Sequence, residues 1–293
     1  MRRTAVLLIA HGTVERLDDL PRFLSNIRRG QPPSEELVRE IRRRYEAIGG
    51  RSPLLDISHR VAAKVEVALG VPVRLAMRLW EPYPRDVLTA LAEEGTRRVV
   101  VVPLAQHSAG VYGAAAKEAA RDLGLEVVSA PNWGQNGTLL DAYASRIARE
   151  LAKVAQPSRI VMTAHSLPTF IIKGGDPYED EVRASAEKIH VRLGPAAPDY
   201  VVSFQSQGMS GPGVEWLGPD LSATLEAILD KGVRQAVLAP IGFLADHVEI
   251  LYDLHIEARA WANERGMVLH VAESLNDSDD LVRAIAEVAR PLL

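Results

Sequence analysis

The densest group of residues able to do chemistry lies in Pro240-Ile241-Gly242-Phe243-Leu244-Ala245-Asp246-His247-Val248-Glu249-Ile250-Leu251-Tyr252-Asp253-Leu254-His255-Ile256-Glu257. Glu249, Asp253 and Glu257 recur every fourth residue, so a helix would align three carboxylates in one slowly drifting stripe. Like charges at that spacing repel unless they are solvated, paired or bound to cations, and hard oxygen donors suit a divalent metal. Spacing alone leaves two readings, a solvated helix face and a metal-handling one. A second chemical element is Thr163-Ala164-His165-Ser166-Leu167-Pro168, where an imidazole at a strand end could accept a proton or bind a metal. His11 and His107 also follow apolar runs. Any one such histidine is commonly structural; three at corresponding strand ends point to a cleft lined by imidazoles and carboxylates.

These side chains need strands and helices to place them. Ala5 to Ile9, Val99 to Val102, Ile160 to Met162 and Ala236 to Leu238 are near-continuous apolar runs, as expected of parallel strands covered on both faces. Between them, Glu35 to Ala47, Tyr83 to Glu94, Ala114 to Leu123, Leu139 to Val154, Glu179 to Leu193, Asp220 to Asp230 and Asp277 to Leu292 carry helical periodicity. Alternating strand and helix predicts an α/β fold. The chain also repeats itself loosely: Val6 to Gly12 matches Ile160 to Ser166, and Val101 to Ala105 matches Leu238 to Gly242, in the same order. Two similar Rossmann-like domains, each a doubly wound parallel sheet, follow. The expected boundaries are 1–154 and 158–275, with 276–293 forming a C-terminal helix that packs back on the first domain. Ligands of such sheets sit beyond the carboxyl ends of the strands, so the active-site cleft is expected between the halves.

Composition narrows the functions. Of 293 residues, 47% are hydrophobic and 25% charged, which fits a globular chain of roughly two domains. A net charge of −4 with both signs interspersed gives no field to recruit nucleic acid. With no cysteine, thiolate metal sites, disulfides, iron–sulfur clusters and a cysteine nucleophile are excluded, and a reducing compartment is expected. The start, Met1-Arg2-Arg3 and a short apolar run, is too brief for a signal sequence, and no run approaches the roughly 18 apolar residues of a membrane span. The expected location is the cytoplasm.

Several motifs, in order along the chain, resemble the ferrochelatase family: Arg28-Arg29-Gly30-Gln31-Pro32-Pro33, Arg44 to Leu54, Thr163 to Pro168, Gln205-Ser206-Gln207-Gly208, Glu215-Trp216-Leu217-Gly218-Pro219-Asp220 and Pro240 to Asp253. The resemblance implies a chelatase-like pair of Rossmann-like domains and insertion of ferrous iron into a free-base porphyrin, with loss of two pyrrole protons, in haem biosynthesis. His165 matches the family's cleft histidine, a metal ligand or proton acceptor, and Glu249 the glutamate facing it. With them, Asp253 and Glu257 match an acidic stripe on an unusually wound helix, which the resemblance implies passes metal or protons outward. His11, Arg28, Arg29, Ser52, His107 and Tyr112 fall at porphyrin-binding positions, the arginines suiting propionates. Asp246, His247 and Ser166 support the residues around them. The implied partners are porphyrin and Fe²⁺ as substrates, with no prosthetic group, and a monomer is favoured. The region around Arg28 to Pro33 resembles relatives acting on coproporphyrin III more than those using protoporphyrin IX. His11 departs from the family, standing where short relatives carry tyrosine and others an apolar residue; an imidazole there could ligate iron from the far face. The long cysteine-bearing extension and apolar lip of membrane-associated relatives are missing. Competing readings are a non-catalytic porphyrin or haem carrier and a cobalt or sirohydrochlorin chelatase, which Ala10-His11-Gly12 faintly resembles.

Overall fold

The structure is a computed structural model that describes residues 3–207 and 213–293; Gly208 of the Gln205-to-Gly208 motif lies outside the described residues. The chain divides into two compact units. The first comprises Met1–Trp133, Ala245–Val248 and Asn276–Leu293, and the second Gly134–Leu244 and Glu249–Leu275.

In the first unit, β1 (Thr4–Ala10) leads through α1 (Leu20–Ile27), α2 (Glu35–Ala47) and α3 (Leu54–Leu69) to β2 (Val73–Met77), then α4 (Pro84–Glu93), β3 (Arg98–Pro103), α5 (Ala109–Ala119) and β4 (Glu126–Ser129). All strand pairs are parallel and the order is β2-β1-β3-β4. In the second unit, α6 (Gly137–Leu151), β5 (Arg159–His165), α7 (Thr169–Lys173), α8 (Tyr178–Leu193), β6 (Tyr200–Gln205), α9 (Leu221–Asp230), β7 (Gln235–Ala239), α10 (Val248–Leu251), a π-helical segment Asp253–Ala258, α11 (Arg259–Glu264) and β8 (Val268–Val271) follow. Its sheet, β6-β5-β7-β8, is also parallel and repeats the first permutation. Finally α12 (Asp279–Ala289) packs on α3 and β3 of the first unit. The α/β, Rossmann-like expectation is met twice over.

The cores explain the strand pattern. Ala5 to Ile9 and Val99 to Val102 are fully buried, as are Ile160 to Met162 and Ala236 to Leu238. Each buried aliphatic side chain contributes roughly 1.5–3 kcal/mol relative to exposure, so these central strands hold each sheet. Helix starts follow local chemistry: Ser34, Asn136, Asp220 and Ser278 each accept a backbone N–H three residues on.

Two boundaries differ from expectation. The helix expected over Ala114 to Leu123 runs Ala109–Ala119. The Ala109 N–H is capped by the Asn132 side-chain oxygen Oδ1 at 2.8 Å, a partner distant in sequence, and Gly113 is required because a methyl there would meet Ser129 Oγ at 2.3 Å. The second difference concerns the boundary expected at residue 154. Helix α6 falls instead in the second unit, packing on α8 and β7, with the Tyr143 hydroxyl donating to the Phe243 carbonyl at 2.8 Å.

Candidate active site

In sheets of this permutation the two strands flanking the switch point are β1 and β3 in one unit and β5 and β7 in the other, and ligands gather beyond their carboxyl ends. His165 is the last residue of β5. Its Nδ1 lies 3.0 Å from Glu249 Oε2, and both side chains are about one-third exposed. An ionised carboxylate only accepts, so Nδ1 donates and Nε2 is the atom free for a proton or a metal. Burial lowers the proton affinity of His165, but the charge and hydrogen bond of Glu249, followed by the charge of Asp253, outweigh it and hold the imidazole above its ordinary value.

The surrounding chain fixes this pair. The Tyr178 hydroxyl donates to the His165 carbonyl at 2.8 Å. Ser166 is buried, its hydroxyl donating to the Leu217 carbonyl at 2.9 Å, while Leu217 N–H donates to Leu167 O and Thr169 N–H to Glu215 O. The Trp216-Leu217-Gly218-Pro219-Asp220 motif is therefore a strap that fastens His165-Ser166-Leu167-Pro168, ending where Asp220 caps α9. Gly242, in the loop after β7, comes so close to β5 that an added methyl would lie 2.6 Å from Ala164 Cα.

The acidic stripe divides by environment. Glu249 sits on α10, Asp253 opens the π segment and is buried, and Glu257 is exposed. Within the π segment Glu257 N–H reaches back five residues to the Tyr252 carbonyl at 2.9 Å. Four residues of α-helix advance about 40° past a full turn; the wider π turn offsets that drift, so winding, not spacing alone, sets the stripe. Among the described residues no three His, Asp or Glu side chains are grouped so as to hold an ion, so His165, Glu249, Asp253 and Glu257 are not gathered into one ligand set.

The first unit holds the other expected residues. His11 is exposed just beyond β1, with Nδ1 3.3 Å from the Tyr112 hydroxyl and its ring edge-on to Phe23. Arg78 lies over the Tyr112 ring, 5.5 Å from its centroid. Arg28 caps α1 half-buried, and Arg29 is exposed in the left-handed region at φ 56°. Ser52 is buried, its hydroxyl oxygen accepting from Leu54 N–H at 3.3 Å as α3 begins. His107 is buried and pushed down to about 3 by desolvation, hence neutral. Asp246 and Asn276 exchange two hydrogen bonds, 2.8 and 2.9 Å, and His247 Nδ1 lies 3.1 Å from the Ala245 carbonyl. Sequence reasoning missed Tyr178, which no local signal marks, and the placing role of Gly242, which its position just after an apolar strand could have suggested.

The fold places the chain among α/β proteins of two units, each built on a four-stranded parallel sheet. It is similar to SirB from Bacillus subtilis with Fe³⁺, with a TM-score of 0.60 at 14% identity over 98% of this chain and 94% of that one. The family model for Ferrochelatase matches residues 3–292, and the chain belongs to that family, as an enzyme of metal chelation in haem biosynthesis. Among its relatives are a ferrochelatase of Acidobacterium capsulatum, 35% identical over 98% of this chain and 94% of the relative, and a coproporphyrin III ferrochelatase of Bacillus subtilis, 31% identical over 98% and 97%. No described helix is long and apolar enough to cross a membrane.

Proposed function

We propose that this enzyme inserts ferrous iron into coproporphyrin III in preference to protoporphyrin IX, with His165 and Glu249 carrying the proton chemistry. The observation that bears most weight is the 3.0 Å contact between His165 Nδ1 and Glu249. Metallation replaces two pyrrole N–H bonds with bonds to iron, so two protons must leave each porphyrin. A neutral His165 takes them in turn at Nε2, passing the first on before it accepts the second; each imidazolium that forms is stabilised by Glu249 and by the charge of Asp253. The exposed Glu257 then offers an exit to solvent for protons and an entry for ferrous iron, so the acidic residues act as successive stations. His11, Tyr112, Arg28 and Arg29 are assigned to the porphyrin, the arginines to its propionates. Ser52 and His107, both buried, are assigned to the lining of the same site. Asp246, His247 and Ser166 support the loops that carry the acidic helix and His165. The protein acts as a cytoplasmic monomer with no prosthetic group. The coproporphyrin preference is supported by relatives of that name, at 31% and 33% identity, from Bacillus subtilis and Anoxybacillus flavithermus.

The test is anaerobic metallation of both porphyrins side by side by the wild type and His165→Ala. The expected result is faster turnover of coproporphyrin III, and in the variant a loss of about a hundredfold or more with porphyrin binding retained. Equal turnover by His165→Ala would remove His165 from the reaction.

A further inference from the structure

Strand β6 ends beside His165: in the parallel register Gln205 is the partner of His165, and Ser166 N–H donates to the Gln205 carbonyl at 2.7 Å. The two residues at this end reach toward the acidic helix. Gln205, itself buried, donates through Nε2 to the Glu249 backbone carbonyl at 3.1 Å. Ser206 donates through its hydroxyl to Asp253 Oδ2 at 2.6 Å, and Asp253 is 7% exposed. Consecutive residues thus hold successive turns, one carrying the carboxylate on His165 and the other the carboxylate at the start of the π segment.

The backbone gives a second, independent observation. Ser206 lies at φ 57°, a left-handed conformation that glycine adopts without strain and serine rarely does. A turn that needed only this backbone would be served better by glycine. The hydroxyl is what serine adds, and it points to a buried carboxylate whose ionised form needs donors.

We propose that Ser206, braced by Gln205, is a positioning residue that fixes the Asp253 carboxylate beside the His165–Glu249 pair for the handling of ferrous iron. This rests on the ferrochelatase reading above. Ser206 touches no reacting atom in this scheme and acts through Asp253.

The test uses the full chain carrying Ser206→Gly, Ser206→Ala, Asp253→Asn and the double variants, read by urea unfolding and by anaerobic initial rates against ferrous iron and porphyrin separately. Ser206→Gly relieves the backbone, so it keeps the fold while losing the hydroxyl. The expected result is a KM for ferrous iron raised roughly tenfold or more, with the KM for porphyrin unchanged and no further loss once Asp253→Asn is present. Stability effects of the two substitutions should likewise be non-additive. A wild-type KM for iron in Ser206→Gly, or effects that simply add in unfolding, would overturn the proposal. If the wild type metallates no porphyrin while the unfolding coupling persists, the proposed function fails and the positioning stands.

Discussion

The end of β1 and the end of β5 occupy the same place in two sheets of identical permutation, each reached through Ala-His, yet they carry different chemistry. At β1, His11 meets the Tyr112 hydroxyl at 3.3 Å, a neutral partner that sets orientation without adding charge. At β5, His165 meets Glu249 at 3.0 Å with Asp253 behind, and its proton affinity rises. The difference arises in the segment after the third strand of each unit. After β3 the chain enters α5 within a few residues and supplies no acid before Glu118, on the helix's last turn; after β7 it supplies Asp246, Glu249, Asp253 and Glu257. A repeated fold copies the position of a side chain, and the neighbouring loop decides what that side chain can do.

The contrast breaks most sharply at Glu249. In Glu249→Gln the charge that raises His165 is gone, leaving burial, which lowers it, opposed by Asp253. Since His165 must be neutral to take a proton, the acidic limb of the kcat/KM profile should move to lower pH, while the plateau falls by about a hundredfold or more. The same linkage makes the pair stabilising below the ordinary imidazole range, a contribution lost as pH rises through the raised folded value. A pH–rate series on both proteins decides it: a limb that stays in place or moves upward means that the titrating base is another group. His11→Phe should leave that limb unmoved.

How much of this was legible in the sequence follows from burial. The four strands visible as apolar runs, β1, β3, β5 and β7, are the central ones, covered on both faces. The edge strands β2, β4, β6 and β8 carry Arg74, Glu126, Ser203, Gln205 and His270, so they do not stand out as continuous runs. His165 and Glu249 were visible through their motifs. The π winding was not visible in the spacing, because four-residue periodicity fits an α-helix as well; only the resemblance implied it. Burial of Asp253 and exposure of Glu257 depend on contacts such as Ser206, 47 residues away, which no local pattern reveals.

A smaller effect separates the two loops themselves. Gly242 follows β7 where Ala105 follows β3, so the first unit already accommodates a methyl at the matching place. In Gly242→Ala the new methyl would lie 2.6 Å from both Ala164 Cα and Cβ. Backbone cannot yield as a flexible side chain would, so a cost of about 3 kcal/mol is expected, with metallation falling as the end of β5 shifts. Ala105→Gly should cost no more than about 1 kcal/mol. Urea unfolding of both variants measures the asymmetry, and equal costs would mean that the loops approach their sheets alike.

The smallest effect concerns the two buried-side histidines, His107 after β3 and His165 after β5, on which desolvation acts in the same direction. At His107 burial is the cause that acts and pushes it down to about 3, whereas at His165 burial is outweighed by the charge and hydrogen bond of Glu249, which raise it. The unfolded chain binds a proton at His107 as pH falls through about 6.5, and the folded chain does not until about 3. Stability contributed by the neutral, buried ring is therefore complete above the ordinary imidazole value and lost as pH falls toward the folded one. Between pH 7 and pH 5 that loss amounts to about 2 kcal/mol. His107→Gln cannot titrate, so unfolding free energies at the two pH values should differ less in the variant than in the wild type, whatever the variant's overall stability. An unchanged difference would mean that His107 takes up its proton in the folded protein, and that burial alone does not distinguish the two units.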